Sequence, residues 1–384
     1  MSDVRTLIGE ALSEIIETAA EGGPRVRVAL QSDGSEHGPQ ELVRAARLVQ
    51  KQSPNIRVVM IGPKKVTDCD DLEWIETSEC EADLETAMDK ALKNGTVSGI
   101  VAMHHPFPTG VTTIGRVFTP AFGRDMLIAS TTGTSAINRV EAMIRNTVYG
   151  IAAAKALGKK EPTVGILNVE GAQTVFRALN KLKDNGYALT FGESCRSDGG
   201  SVLRGNDILQ GVVDVCICDT LTGNVLMKMF SSFNSGGSYE TLGWGYGPSV
   251  GEGWGNVVNI ISRASGAPVI ANALIYCGAV AAAGLPSLVT SELVAARSCG
   301  LEEIIASATP APAAANETIA APAAEPTDEE IHGIDVLAVE DAVRELWKHS
   351  IYAESSMGCT GPVVKLNKKN EAEARRLLGV AGYL

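Results

Sequence analysis

The sequence predicts an α/β protein built on a doubly wound, mostly parallel sheet, with a small C-terminal segment attached through an Ala/Pro-rich linker. Three observations predict it. Short β-rich apolar runs alternate with helical patterns from Arg25 onward, as in strand–helix–strand units whose helices cover both sheet faces. Glycine supplies 40 of 384 residues and aromatics only 5%, which suits tight turns and a Val/Ile/Ala core. From Ser307 to Pro326 the chain holds nine alanines and four prolines, a composition that builds no core.

The elements follow in order. Residues 4–20 read as an amphipathic leading helix with Leu7, Leu12, Ile15 and Ile16 on one side. Strands are expected at 26–30, 56–61, 100–103, 126–129, 163–167 and 213–218, where β-branched apolar runs sit between turn residues. Helices are expected between them at 40–51, 84–93, 140–157, 173–184 and 223–230. The run from Ala267 to Leu285 has Asn272 as its one strongly polar member. It opens with Pro268, is rich in Ala and Gly and lacks aromatic or basic anchors, so it reads as a buried strand plus helix and not as a membrane span.

These patterns divide the chain into a main domain over 1–306, a linker over 307–329 and a C-terminal module over 330–384. Helices are expected in the module at 339–349 and 371–378, on either side of Ser356-Met357-Gly358-Cys359-Thr360-Gly361-Pro362. At 55 residues the module is below the size that usually sustains its own core. It is expected to dock on the main domain or on a partner.

Charge narrows the function. With 33 basic and 45 acidic side chains the net charge is −12, and no Lys/Arg cluster exists to neutralise phosphates, so nucleic acid is excluded as a partner. The N-terminus lacks the basic-then-apolar build of a signal peptide, and the expected compartment is the cytoplasm. Eight cysteines, at 69, 80, 195, 216, 218, 277, 299 and 359, include no CxxC pair, so they are read as free thiols, with Cys216 and Cys218 in the core. His104 and His105 are open as acids, ligands or packed loop residues. They lack a third ligand at metal spacing, and no metal site is expected.

In a doubly wound sheet, ligands bind beyond the carboxyl ends of the strands. Four polar loops stand at such ends: 31–39, 104–110, 168–172 and 219–224. Each places Gly or Ser/Thr beside a helix N-terminus, a pattern that serves anion binding or simple capping.

The blocks Pro162–Val169, Gly205–Leu209 and Val213-Asp214-Val215-Cys216-Ile217-Cys218-Asp219-Thr220-Leu221-Thr222-Gly223-Asn224-Val225-Leu226-Met227-Lys228 resemble the PlsX-type phosphate acyltransferases, which share a fold with phosphate acetyltransferases. The resemblance runs from about Arg25 to about Gly284. The opening loop departs from it, with Asp33-Gly34-Ser35-Glu36-His37-Gly38-Pro39 where those enzymes have a Gly-Gly-Asp-His-x-Pro run. The segment 236–254, the linker and the tail depart as well. With those departures the whole chain resembles the alpha subunits of component C of glycine/sarcosine/betaine reductase complexes.

That resemblance implies an acyl-transfer subunit working with a beta subunit of component C and with selenoprotein component A, as a hetero-oligomer. A two-carbon group arrives as a selenoether, becomes an acetyl thioester on Cys359, and leaves as acetyl phosphate when inorganic phosphate attacks. No covalently bound cofactor is implied. It also implies that Asn168, Asp219, Thr222, Asn224 and Lys228 line a phosphate pocket, joined by Asp33, Ser35, His37 and Thr109. The residues agree in part. Cys359 has little bulk around it, and a thiol of pKa about 8.5 needs neighbours to ionise it; Lys365, His349 and the backbone N–H groups of Thr360 and Gly361 are candidates. Two alternatives stay open: a stand-alone phosphate acyltransferase using coenzyme A or acyl carrier protein, and a non-catalytic scaffold subunit.

Overall fold

The computed structural model describes residues 26–384 apart from 198, 310–318, 333, 335–337 and 359–360. The leading helix read at 4–20 therefore lies outside the described residues.

The main sheet begins with β1 (Val26–Gln31), β2 (Ile56–Gly62), β3 (Glu73–Glu76), β4 (Gly99–Ala102), β5 (Val111–Phe118) and β6 (Asp125–Gly133). It continues with β7 (Thr163–Leu167), β8 (Thr190–Phe191), β9 (Val202–Leu203), β10 (Val215–Ile217), β11 (Gly247–Gly251) and β12 (Val258–Ile260). The connecting helices are α1 (Pro39–Gln52), α2 (Glu81–Lys93), α3 (Arg139–Ala156), α4 (Ala172–Asp184), α5 (Gly205–Gln210) and α6 (Thr220–Ser232). Three more, α7 (Ala267–Ala282), α8 (Leu285–Ser298) and α9 (Leu301–Ala308), close this part.

All twelve strands join in the order β3-β2-β1-β4-β12-β11-β5-β6-β10-β7-β8, with β9 also on β7. The ladders within β3-β2-β1-β4-β12 are parallel, as are those within β6-β10-β7-β8. Between these blocks, β11 is antiparallel to β12 and to β5, and β5 is antiparallel to β6. The two parallel blocks therefore run in opposite directions, and their carboxyl ends lie on opposite edges of one mostly parallel sheet.

Local sequence explains most of these elements. Helix α3 starts where the Asn138 side chain accepts the N–H groups of Val140 and Glu141, a cap that satisfies two donors with no intrahelical partner. Its Met143, Ile144, Val148 and Ile151 are buried. Strand β11, Gly247-Pro248-Ser249-Val250-Gly251, reads as a loop because two glycines and a proline are poor strand formers. Gly247 is required there: it has φ 88°, and a Cβ on it would lie 1.7 Å from the Ile114 carbonyl oxygen. The run at 267–285 is corrected from strand plus helix. Ala267–Ala282 is one helix, buried against α1, β1 and β4, and its apolar surface on every side matches that position. Among the described residues no single helix is long and apolar enough to cross a membrane.

The tail has β13 (Glu329–Ile331), α10 (Val339–Lys348), β14 (Ala353–Gly358), β15 (Gly361–Leu366) and α11 (Glu371–Val380). Its strands form a separate antiparallel sheet, β13-β15-β14. Contrary to the expectation from size, it has a core of its own. Ile331, Leu346, Val364, Leu366 and Leu378 are fully buried together, each contributing about 1.5–3 kcal/mol. The helix α10 supplies Val339, Ala342, Val343 and Leu346 at three- and four-residue spacing, which turns one face onto the sheet.

Candidate functional site

The reversal of strand direction sorts the residues proposed from sequence. Asp33, Ser35 and His37 follow β1 at one edge of the sheet. Thr109 precedes β5, Asn168 follows β7, and Asp219, Thr222 and Asn224 follow β10, all at the other edge. The four strand-end loops are not gathered around one crevice, because that expectation assumed a single strand direction.

Helix α6 spans the two groups. Its N-terminus is held on β6: Asp219 accepts the Thr222 N–H at 3.0 Å and the Thr222 hydroxyl at 2.6 Å, and the Ser130 and Thr220 hydroxyls pair at 2.6 Å. Asn224 donates its amide to the Thr131 carbonyl at 3.0 Å. Gly223 makes this seating possible, since a Cβ there would stand 1.8 Å from the Ser130 carbonyl oxygen. Thirteen residues at about 1.5 Å each carry the helix roughly 20 Å, toward the edge that holds the 31–39 loop.

One turn beyond Asn224, Lys228 donates from Nζ to the Tyr246 hydroxyl at 3.1 Å, and Tyr246 donates to Glu240 Oε1 at 2.7 Å. The other oxygen of Glu240 accepts the Ser265 hydroxyl at 2.7 Å. Glu240, Tyr246 and Ser265 are buried. Burial pushes the Tyr246 hydroxyl well up, and the neighbouring Glu240 carboxylate adds to it, so the phenol keeps its proton and acts as donor to the carboxylate. The Ala264 carbonyl accepts the Glu240 N–H at 3.0 Å and lies 3.1 Å from His37 Nε2. The His37 ring meets Tyr239 edge-on at 5.4 Å. The 236–246 and 262–266 segments thus tie Lys228 to His37.

Other candidates have plain partners. Asp33 accepts Lys65 Nζ at 2.8 Å, and the Ser35 hydroxyl accepts the His37 N–H at 3.1 Å. Asn168 and Thr109 are exposed. Lys65, Ser130, Gly223, Glu240, Tyr246 and Ser265 were missed from sequence. Of these only Gly223 carried a signal, as the small residue in the Thr222-Gly223-Asn224 block.

His104 and His105 sit at the carboxyl end of β4, opposite α2. The His105 ring lies 5.2 Å from Phe107 and 6.1 Å from Trp254, and its buried Nδ1 has no partner among the described residues. Burial lowers its pKa, against the opposing pull of Asp89. Nearby on α2, burial raises the Glu85 carboxyl while the charges of His104 and Lys365 lower it. Strand β15 of the tail is therefore within electrostatic reach of this corner. The tryptophans of the 236–254 segment are packed: Trp244 lies under the Arg116 guanidinium at 3.8 Å, and Trp254 donates to Ser249 at 2.8 Å.

Cys359 and Thr360 lie outside the described residues. They join Gly358 and Gly361, which face each other at the end of the β14–β15 ladder. Among the described cysteines, burial pushes Cys216 up to about 12 and raises Cys218 and Cys277 well above the ordinary thiol range. The Asp207 carboxylate raises Cys195. These environments oppose thiolate formation.

A family model described as "Fatty acid synthesis protein" matches residues 26–365. The glycine/sarcosine/betaine reductase complex component C subunit alpha of Peptoclostridium acidaminophilum is 47% identical over 389 aligned positions covering all of both chains. The phosphate acyltransferase of Thermotoga neapolitana is 26% identical over 260 positions, 57% of this chain and 76% of that protein. Among solved structures, a branched-chain phosphotransacylase from Enterococcus faecalis superposes with a TM-score of 0.50 at 13% identity, covering 67% of this chain and 99% of that one. That likeness speaks for the fold: an α/β architecture on a mostly parallel sheet. With its sheet, its α6 block and its tail all inside the region of agreement, this chain belongs to the family of component C alpha subunits of glycine/sarcosine/betaine reductase complexes, among the relatives of the PlsX-type phosphate acyltransferases.

Proposed function

We propose that this chain is the acyl-transferring subunit of its complex, taking a two-carbon unit from a Se-carboxymethyl selenoprotein as an acetyl thioester on Cys359 and releasing it as acetyl phosphate. The observation that carries this reading is the extent of the similarity. The component C relative matches the chain from end to end, tail included, whereas the phosphate acyltransferase matches 57% of it. The raised pKa values of Cys195, Cys216, Cys218 and Cys277 count against those four as the nucleophile.

Loading breaks the carbon–selenium bond and turns the methylene into a methyl group. That is a two-electron reduction, balanced when the carrier's selenium closes a bond to a second thiol and one carboxylate oxygen leaves as water. In release, a phosphate oxygen attacks the thioester carbonyl, the carbon–sulfur bond breaks, and the Cys359 thiolate departs. The α6 N-terminus and Lys228 supply positive potential for phosphate, with Asp219, Thr222 and Asn224 fixing that end of the helix. Asp33, Ser35 and His37, at the edge where Lys228 is tied to His37, complete the pocket in this reading, with Thr109 and Asn168 at the opposite edge beside the α6 N-terminus, and each donor aimed at the developing oxyanion contributes about 3 kcal/mol. Residues 307–329 act as the linker that lets the 330–384 module carry Cys359. The beta subunit of component C and selenoprotein component A are the partners.

The test runs release backward. After incubation with acetyl phosphate, peptide mass spectrometry should find acetyl on the Cys359 peptide, and added phosphate should discharge it. A chain that takes no acetyl on any cysteine, even with its partner subunit present, would sink the reading in favour of a scaffold. Activity with coenzyme A that survives Cys359→Ser would favour the stand-alone acyltransferase.

A further inference from the structure

The segment between β4 and β5 joins the two sheet edges over which the candidate residues are divided. It leaves β4 beside Gln31, which accepts the Met103 N–H at 2.9 Å and donates to the Asp33 carbonyl at 2.9 Å. It reaches β5 at the edge that holds Asp219, where the Gly110 N–H is donated to the Thr134 carbonyl at 2.9 Å. On the way it crosses one face of the sheet. Phe107 packs in the cluster that holds Met227 of α6, with Leu92 of α2 against it, so the two helices flank the crossing. His105 stands on this crossing, with Phe107 at 5.2 Å, Trp254 at 6.1 Å, and a buried Nδ1 that has no partner among the described residues. Burial lowers its pKa, so at neutral pH the ring is uncharged and able to accept a proton.

The tail comes to the same place. The charges of His104 and of Lys365 on β15 both act on Glu85 of α2, and Asp89, one turn further along α2, acts on His105. Lys365 is held on the tail's own sheet by Glu330 at 3.2 Å, so its approach to α2 brings that sheet with it, a basic group against an acidic helix face. From Lys365 the strand runs back four residues to Gly361, about 14 Å, and the ladder ends there at the Gly358–Gly361 pair on either side of Cys359.

We infer that the crossing between α2 and α6 is where the main domain receives the tip of the β14–β15 hairpin, and that His105 moves the thiol proton there. The inference rests on Cys359 as the acetyl carrier. As the Cys359 sulfur bonds to the carbonyl carbon of acetyl phosphate, the uncharged His105 ring takes the thiol proton. As the carbon–oxygen bond breaks, that proton passes to the departing phosphate. Release runs the same transfers in reverse, and the ring ends each one as it began. The Phe107 and Trp254 rings beside it keep water from the thioester.

The test follows the rate at which the full-length chain takes acetyl on the Cys359 peptide from acetyl phosphate. In wild type the rate should be level above about pH 6.5, the ordinary histidine value, and should fall below it. His105→Gln should reach the same final labelling about a hundredfold more slowly, with a rate that climbs about tenfold per pH unit from 6 to 8 as the thiolate fraction grows. His105→Cys under mild oxidation should yield a disulfide-linked peptide joining 105 to 359. A His105→Gln chain with the wild-type rate and pH profile overturns the proton role, and a folded His105→Cys chain that gives no 105–359 peptide overturns the docking. A wild-type chain that takes no acetyl on Cys359 removes the carrier reading itself, and the proton role with it, whereas a 105–359 peptide from such a chain would still show where the tip docks.

Discussion

Lys228 and Glu240 are joined through one hydroxyl: Tyr246 receives a hydrogen bond from Lys228 at 3.1 Å and passes one to Glu240 at 2.7 Å. The carboxylate is buried and has no cation in direct contact among the described residues; the lysine reaches it through the phenol. One of the three ammonium donors is thereby fixed.

Tyr246→Phe removes both bonds. Glu240 Oε1 is left buried without its donor, which costs about 1–3 kcal/mol of stability. Lys228 loses its anchor, so discharge of the acetylated chain by phosphate should weaken about tenfold, mainly as a rise in the phosphate KM. Lys228→Met should show the same kinetic defect with an unchanged melting temperature. Kinetics and thermal melts on the two variants separate the roles, and a Lys228→Met chain with wild-type phosphate dependence would remove this lysine from the pocket.

At the other end of α6, Asp219→Ala removes a cap and should cost about 1 kcal/mol. Gly223→Ala should cost more, on the order of 3 kcal/mol, because its methyl group meets the Ser130 backbone oxygen and the helix must lift from β6. Denaturant unfolding orders the two. The reverse order would mean that the helix seat is loose.

The half-buried His105 predicts a pH effect. Its folded pKa is lowered, below an ordinary value of about 6.5, so the neutral ring is favoured by folding. The stabilisation is complete above about pH 6.5 and is lost as pH falls through that range and below. Melting temperature measured from pH 7.5 to 5 should therefore fall less steeply in His105→Gln than in wild type. Parallel curves would show that the ring carries its charge without penalty.

Shortening the 310–318 stretch by six residues removes up to roughly 18 Å of reach at about 3.1 Å per residue. Acetyl phosphate turnover should drop several-fold while the melting temperature stays put. Undiminished turnover would remove the carrying role from this linker.

The sequence by itself determined the elements whose signal is local. β1, β2, β4, β6, β7 and β10 are short β-branched runs between turn residues, and α1 to α4 carry apolar residues at helical spacing. The Asp219–Lys228 block was legible for the same reason, since a strand, a capping Asp and a helix start within ten residues. Tertiary structure decided the rest. Strand direction is set by pairing between distant segments, so the antiparallel β5 and β11 that reverse half the sheet left no local mark. Glu240 and Tyr246 sit in a glycine-rich stretch that looks like a loop, and their partners Ser265 and Lys228 are 25 and 18 residues away. The tail escaped the size rule because two amphipathic helices close over a three-stranded sheet. A hydrogen bond or a buried contact depends on which surfaces the whole chain brings together, and a run of neighbouring residues does not hold that information.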